Sequence, residues 1–397
     1  MFRLIKLMLL RFVLVVLCFI PPAYSNTLSE FNRAFSVKVK TELAQHNIPG
    51  AAYVVIHKDK VSALETYGYV DQAKSKKVTA DTVFRLASVS KTFAATLTTM
   101  LAQDNLLNLS DPITQYVPAF NLSKKGQADN IQLKHILSHS SGLMPNTYDN
   151  LLHENWSMDK IIGRFDKLTP ICPPEKCYGY QNVLYGFLQP AIEARQDKSY
   201  SQLLQEKLFT PLNMVNTSVG YNAFMMAENT AKPHVLINKI KTPRKNLQGQ
   251  FIYKYVWRKV AVEPDFYKVE TAAGINASIS DLAKWLMANM GYQPEVLPSG
   301  LVAELITPRI KTKKDLRRKF WRKHLTDAHY GYGWRIYQLD NTSIIYHSGW
   351  VAGFRADIGY SPDLGVGFAI LINAESNVIN KISSQFWLQA HQLLNQV

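Results

Sequence analysis

Cysteine is almost absent from this chain of 397 residues, occurring at positions 18, 172 and 177 and nowhere else. No other cysteine and no nearby histidine completes a four-ligand set around the close pair, which argues against a zinc site. Long apolar runs are missing too. The run Phe12 to Ile20 is too short to span a bilayer comfortably. Acids are few, 30 against 45 lysines and arginines, for a formal charge of +15. There is no internal repeat and no low-complexity segment, which sets aside solenoid, fibrous and disordered classes. What remains is 47% hydrophobic, enough for a large core in one big domain or two intimate halves.

The start carries Arg3, Lys6 and Arg11, a short apolar core, Pro21-Pro22 and then Ala23-Tyr24-Ser25. This pattern describes a secretory signal peptide, residues 1–25, cut after Ser25 and leaving a periplasmic or secreted protein. The alternative is an uncleaved N-terminal membrane anchor. Leu17 before Cys18 argues against a lipid anchor, whose signals resemble a pattern with a small residue there. Losing Cys18 leaves Cys172 and Cys177, and an even number at close spacing in an oxidising compartment predicts a disulfide around Pro173-Pro174. Two free thiols are the other reading. The excess charge gathers in runs 239–259 and 309–323, the second with Asp315 as its only acid. A solvated loop or helix face is expected for each, with contact to anionic envelope components as the alternative, while export argues against nucleic acid.

One stretch points to chemistry. Phe84 to Ala95 contains Ser88-x-x-Lys91, followed by Phe93, Ala94, Leu97, Met100 and Leu101 at helical spacing. Ser88 then falls at the first turn of a buried helix, with Lys91 one turn on and facing the same way. A serine hydroxyl needs a base, and an amine kept neutral by burial can be one. The N-terminal N–H groups of such a helix favour an oxyanion. The spacing alone is weak, since Ser157-Met158-Asp159-Lys160 repeats it where Ser157 reads as an ordinary N-cap.

Along the chain, a helix from Leu28 to Ala44 and strands Ala51–Ile56 and Val61–Tyr69 precede Ser88. Helical signals follow at Ile131–Leu137, Met158–Phe165, Val183–Arg195 and Tyr200–Leu208. Strands return at Tyr332–Tyr337, Ser343–Tyr346, Phe354–Tyr360 and Gly365–Ile372, before a last helix Val378–Leu394. This predicts one sheet completed by both ends of the chain. Candidate partners for the serine are Tyr180 with Asn182, opening the Val183 helix, and His347-Ser348-Gly349, whose glycine would let a substrate backbone lie against the strand. Trp350 N–H would join Ser88 N–H as oxyanion donor. His347 reads as a proton shuttle, a polar-group ligand or a structural histidine. Tyr148-Asp149-Asn150 competes with Tyr180 but lacks a helix behind it.

Ser88-x-x-Lys91, Leu137-Ser138-His139-Ser140-Ser141-Gly142-Leu143, Tyr180-x-Asn182, Phe209-Thr210-Pro211-Leu212-Asn213-Met214 and His347-Ser348-Gly349 with Gly353-Phe354, in that order, resemble the serine β-lactamase and penicillin-binding protein superfamily. The branch is that of class C β-lactamases, D-alanyl-D-alanine carboxypeptidases and related esterases. The resemblance implies an α/β (α+β) fold over residues 26–397: an antiparallel sheet from about 26–87 and 295–397, flanked by helices, with a mainly helical inserted part over about 88–294. It implies an acyl-enzyme on Ser88, proton transfer by Lys91 and Tyr180, and Asn182 orienting lysine and substrate. His347, Ser348, Gly349, Trp350 and, as a looser match, Asn146 would contact the substrate. That substrate would be a β-lactam, a peptidoglycan-derived D-alanyl peptide or a small ester, with no cofactor or metal. Ala272 to Ser278 looks like the family's glycine-containing turn, whereas Glu263-Pro264-Asp265 reads as a loop. Where class C β-lactamases carry Lys-Thr-Gly this chain has histidine, a weaker attractor of carboxylates. A non-hydrolytic penicillin-recognising sensor or scaffold is the alternative function.

Overall fold

Strand β1 (Gly50–His57) is buried along nearly its whole length, because its alternating side chains serve two cores at once. Tyr53 and Val55 pack with Phe35, Phe368 and Phe386 on one face. Ala52, Val54 and Ile56 pack with Leu282, Trp285 and Leu371 on the other. This computed structural model describes residues 22–194, 196–245, 249 and 251–394. The expected signal peptide lies outside them up to residue 21, and the N-terminal helix Pro22–Gln45 includes the proposed cut site.

The remaining strands are β2 (Lys60–Gly68), β3 (Phe84–Arg85), β4 (Ser218–Val219), β5 (His234–Lys245), β6 (Phe251–Lys259), β7 (Ile275–Ala277), β8 (Ile310–Lys311), β9 (Asp327–Tyr330), β10 (Arg335–Leu339), β11 (Thr342–Val351), β12 (Phe354–Ser361) and β13 (Val366–Ile372). The main sheet runs β2-β1-β13-β12-β11-β10-β9-β8 and is antiparallel throughout. Ala51 pairs with Ile372, so strands from the two ends of the chain join in one sheet, as expected. The N-terminal helix and the C-terminal helix Val378–Leu394 cover one face through Phe35, Val39, Phe386 and Trp387. The inserted part covers the other.

That insert is less purely helical than expected. It holds a separate hairpin, β5-β6, and the strands β4 and β7 of a small sheet, β3-β7-β4, which β3 joins from just before Ser88. Residues 239–245 and 251–259 of the basic run are therefore strand rather than loop or helix face. Its lysines lie over aromatic rings of the paired strand, Lys239 at 4.2 Å from the Tyr253 centroid and Lys241 at 3.5 Å from Phe251, contacts that a helical reading of the charges misses. The expected Val183–Arg195 helix is two short ones, Val183–Gly186 and Leu188–Glu193. Pro190 has no N–H to return to Gly186, which interrupts the ladder there. The expected Tyr332–Tyr337 strand starts only at Arg335. Residues 331–334 form a turn against the Ser88 helix, with Gly333 at φ 71° where a Cβ would stand 2.6 Å from the Lys91 carbonyl oxygen.

Candidate active site

Ser88 sits in a single 3-10 turn, Ala87–Val89, immediately before the helix Ser90–Gln103. Ala87 holds φ at 49°, an uncommon left-handed conformation for alanine. The turn is held by its neighbours: Leu86 N–H donates to Ile275 O, and Ile275 N–H donates to Ser90 Oγ. Strand β11 supplies the other wall. Its pairing with β10 ends at Tyr346, so residues 347–351 run on past that neighbour towards the serine turn. Gly349 makes the approach possible, since a Cβ there would meet Leu86 O at 2.0 Å. The expectation that this glycine clears room for substrate is corrected: the room is taken by the chain's own backbone.

Lys91 is wholly buried. Its Nζ lies 3.3 Å from Ser88 Oγ, donates to Asn182 Oδ1 at 2.7 Å and to Ala272 O at 3.1 Å, and stands 4.8 Å from the Tyr180 ring centroid. Burial holds its pKa well below the ordinary lysine value; Asp149 raises it and Arg335 lowers it further. Asn182 is oriented in turn, donating from Nδ2 to Asp149 Oδ2 at 2.7 Å. The Ala272–Ser278 segment therefore contributes a carbonyl to the lysine as well as a brace to the serine turn.

Tyr180 hydrogen-bonds Ser88, and burial pushes its pKa up to about 12 against the opposing pull of Arg335. Neighbouring cations would by themselves lower a phenol's pKa and make it a base; here desolvation outweighs them and the phenol keeps its proton at neutral pH. Under the ring lies His139, 4.2 Å away centroid to centroid, whose Nδ1 accepts from Gln181 N–H at 3.2 Å. The disulfide Cys172–Cys177 closes the loop that leads into this tyrosine.

His347 is buried without exposure, its Nε2 2.9 Å from Tyr330 Oη and its Nδ1 3.1 Å from Ser348 O. Burial first, then Arg335 and Lys91, depress its pKa well below the usual value, so it stays neutral. It does not line the cleft, and its expected contact with substrate is corrected to a place behind the strand. The cleft, of about 410 Å³, is lined by Ser88, Asn146, Tyr180, Asn182, Ser348 and Trp350 from the expected set. Trp350 stands at the rim, 62% exposed, its indole N–H donating to Glu375 Oε1 at 2.7 Å. Asn146 N–H donates to Tyr180 O at 2.7 Å.

Asp149, His153, Phe266, Arg335 and Glu375 also line the cleft and were not foreseen. Asp149 lay in the Tyr148-Asp149-Asn150 triplet, whose helix, Asp149–His153, is only five residues long. Arg335 opens β10 and carried no motif signal. The set-aside copies have structural posts instead: Ser157 Oγ accepts from Lys160 N–H as a helix cap, and Tyr148 Oη donates to Arg164 O. Asp265 caps a 3-10 turn and pairs with His153 at 2.9 Å, as befits a loop.

A model of the family described as Beta-lactamase matches residues 35–390. Protein flp of Staphylococcus aureus (strain MRSA252) is 25% identical over 349 residues, covering 87% of this chain and 63% of the relative. Unguisins hydrolase ungD of Aspergillus violaceofuscus (strain CBS 115571) is 25% identical over 369 residues, covering 89% and 63%. The chain thus spans less than two thirds of either relative's length. The octameric penicillin-binding protein homologue from Pyrococcus abyssi has the same fold, with a TM-score of 0.74 at 21% identity over 91% of this chain and 78% of that one.

Proposed function

The chain belongs to the beta-lactamase family, and from that premise we propose that it is an exported serine hydrolase cleaving an amide or ester through a covalent acyl-enzyme on Ser88. The observation that carries this is the buried Lys91 with two carbonyl acceptors, Asn182 Oδ1 and Ala272 O. A neutral amine has two hydrogens for those two acceptors, which leaves its lone pair towards Ser88 Oγ at 3.3 Å.

In the first half-reaction Lys91 Nζ takes the Ser88 proton as Oγ bonds to the substrate carbonyl carbon. The negative charge that forms on the carbonyl oxygen is met by the N–H groups of Ser88 and Trp350. Tyr180, a phenol at neutral pH, passes its proton to the departing nitrogen or oxygen and recovers one from Lys91, so the acyl ester forms with no net proton gain or loss. In the second half-reaction water takes the leaving group's place and gives its proton to the same pair, which hands it to Ser88 Oγ as the acyl C–O bond breaks, releasing the acid and restoring the hydroxyl. With His347 neutral and buried, Arg335 is the cation that faces the cleft where a substrate carboxylate would lie.

Intact mass spectrometry after mixing with a penicillin and, separately, with a short-chain activated ester tests the reading. A transient adduct on Ser88 with product release is expected for at least one of them. A persistent adduct would make the protein a penicillin-recognising binder, and no adduct with turnover surviving in Ser88→Ala would overturn the assignment.

A further inference from the structure

Beside the acyl cleft lies a second and larger cavity, of about 740 Å³, and the two share Asn146, Tyr180 and Arg335 as lining. Its walls come from the run that follows β8 and from the disulfide loop: Lys176, Lys311, Lys313, Lys314 and Arg317 all border it, with Asp315 as its acid. That acid is already used. Asp315 is buried and held by Arg335 and by Arg318 at 3.5 Å, and their charges keep its carboxyl ionised below the usual carboxylate range despite burial. Lys311 has Asp327 at 3.0 Å. Among the described residues, Lys176, Lys313, Lys314 and Arg317 have no carboxylate partner, and all four are exposed.

Four exposed cations without carboxylate partners round one groove repel one another and attract anions from solution. The groove adjoins the reaction centre, with Asn146, Tyr180 and Arg335 as common lining, so what it holds lies beside the acyl cleft. Resting on the hydrolase reading, we propose that this groove binds an anionic portion of the substrate, a segment bearing two or more phosphates or carboxylates, while the carbonyl to be attacked lies at Ser88. Recognition of this anionic portion would then rest on Lys176, Lys313, Lys314 and Arg317, and not on His347, which is buried and neutral.

The test uses the mature protein, the variant carrying Lys313→Ala, Lys314→Ala and Arg317→Ala together, and three probes: inorganic tripolyphosphate, triglutamate and the uncharged triglutamine. These side chains are exposed, so circular dichroism should match the parent. Calorimetry should show binding of at least one anion and not of triglutamine, weakened roughly tenfold in the variant and also by 0.5 M salt, in keeping with a steering field of clustered charge. The better of the two anions names phosphate or carboxylate. The same anion should inhibit turnover of a neutral activated ester competitively in the parent, and roughly tenfold less potently in the variant. Absence of anion binding to the parent, or equal binding by parent and variant, would overturn the groove. Failure of the neutral ester to turn over at all would count against the hydrolase alone, because the calorimetric result stands apart from it.

Discussion

At the scale of single residues, Lys91 concentrates the chemistry, and its surroundings give the sign of several outcomes. Activity requires the neutral amine, so kcat/KM should rise with pH through the depressed Lys91 pKa and hold until Tyr180 ionises near about 12. Asp149 raises the lysine pKa and Arg335 lowers it. Asp149→Asn should therefore move the acid limb to lower pH and Arg335→Gln to higher pH; pH–rate profiles with a neutral ester read both, and shifts in the same direction would contradict the arrangement. Lys91→Ala and Tyr180→Phe should each lower kcat/KM by about 10²–10⁴. Lys160→Ala and Tyr148→Phe, at the structural copies of the motifs, should leave it within about twofold, since neither side chain lines the cleft. Gly349→Ala is a different kind of lesion: its Cβ would press on Leu86 O and displace the serine turn. Activity should be lost together with stability.

At the scale of elements, two short segments do work that their length conceals. The loop 172–177 is pinned to residues 138–143 by backbone bonds, Ile171 N–H to Gly142 O and Glu175 N–H to Ser140 O, and the next turn adds Gly179 N–H to His139 O. The disulfide closes this small loop. Its removal in the Cys172→Ser, Cys177→Ser double variant should cost about 2 kcal/mol by loop-closure entropy. Denaturant titration measures that cost. A parallel drop in kcat would show that the loop also holds Tyr180 in place. The second segment is the edge of β11 beyond Tyr346. Alternation in sequence marks a strand there, but which edge stays open depends on where β10 begins, at Arg335.

At the scale of the whole molecule, burial leaves a group of histidines neutral. His139 and His347 have pKa values well below 6.5, and His46, His135 and His234 are lowered as well, all chiefly by desolvation. The unfolded chain binds protons at these sites below its own pKa of about 6.5 while the folded chain does not. Stability is therefore complete above that pH and falls as pH drops below it, with a limiting slope of about 1.4 kcal/mol per pH unit for each strongly depressed histidine. Urea midpoints should decline from pH 7 to pH 5, before most carboxylates titrate. His347→Asn should make the decline shallower; an unchanged slope would mean that this imidazole titrates normally.

Much of this protein was legible in order along the chain. The alternating runs near both ends mark strands buried on one face or two, and Ser88-x-x-Lys91 ahead of an apolar helix places nucleophile and amine one turn apart, because both rules are local. The even cysteine pair was likewise readable from spacing. What tertiary structure alone decided is the electrostatics. Tyr180 rises to about 12 instead of falling because its hydroxyl is desolvated. His347 turns behind the strand to Tyr330, and Gly349 yields its space to Leu86. Arg335 enters the cleft from a distant element with no motif to announce it, and Asp149 enters from the set-aside Tyr148-Asp149-Asn150 triplet. Periodicity reports which face of an element is apolar, but the charge state of a side chain depends on every element packed round it, and that sum exists only once the chain has folded.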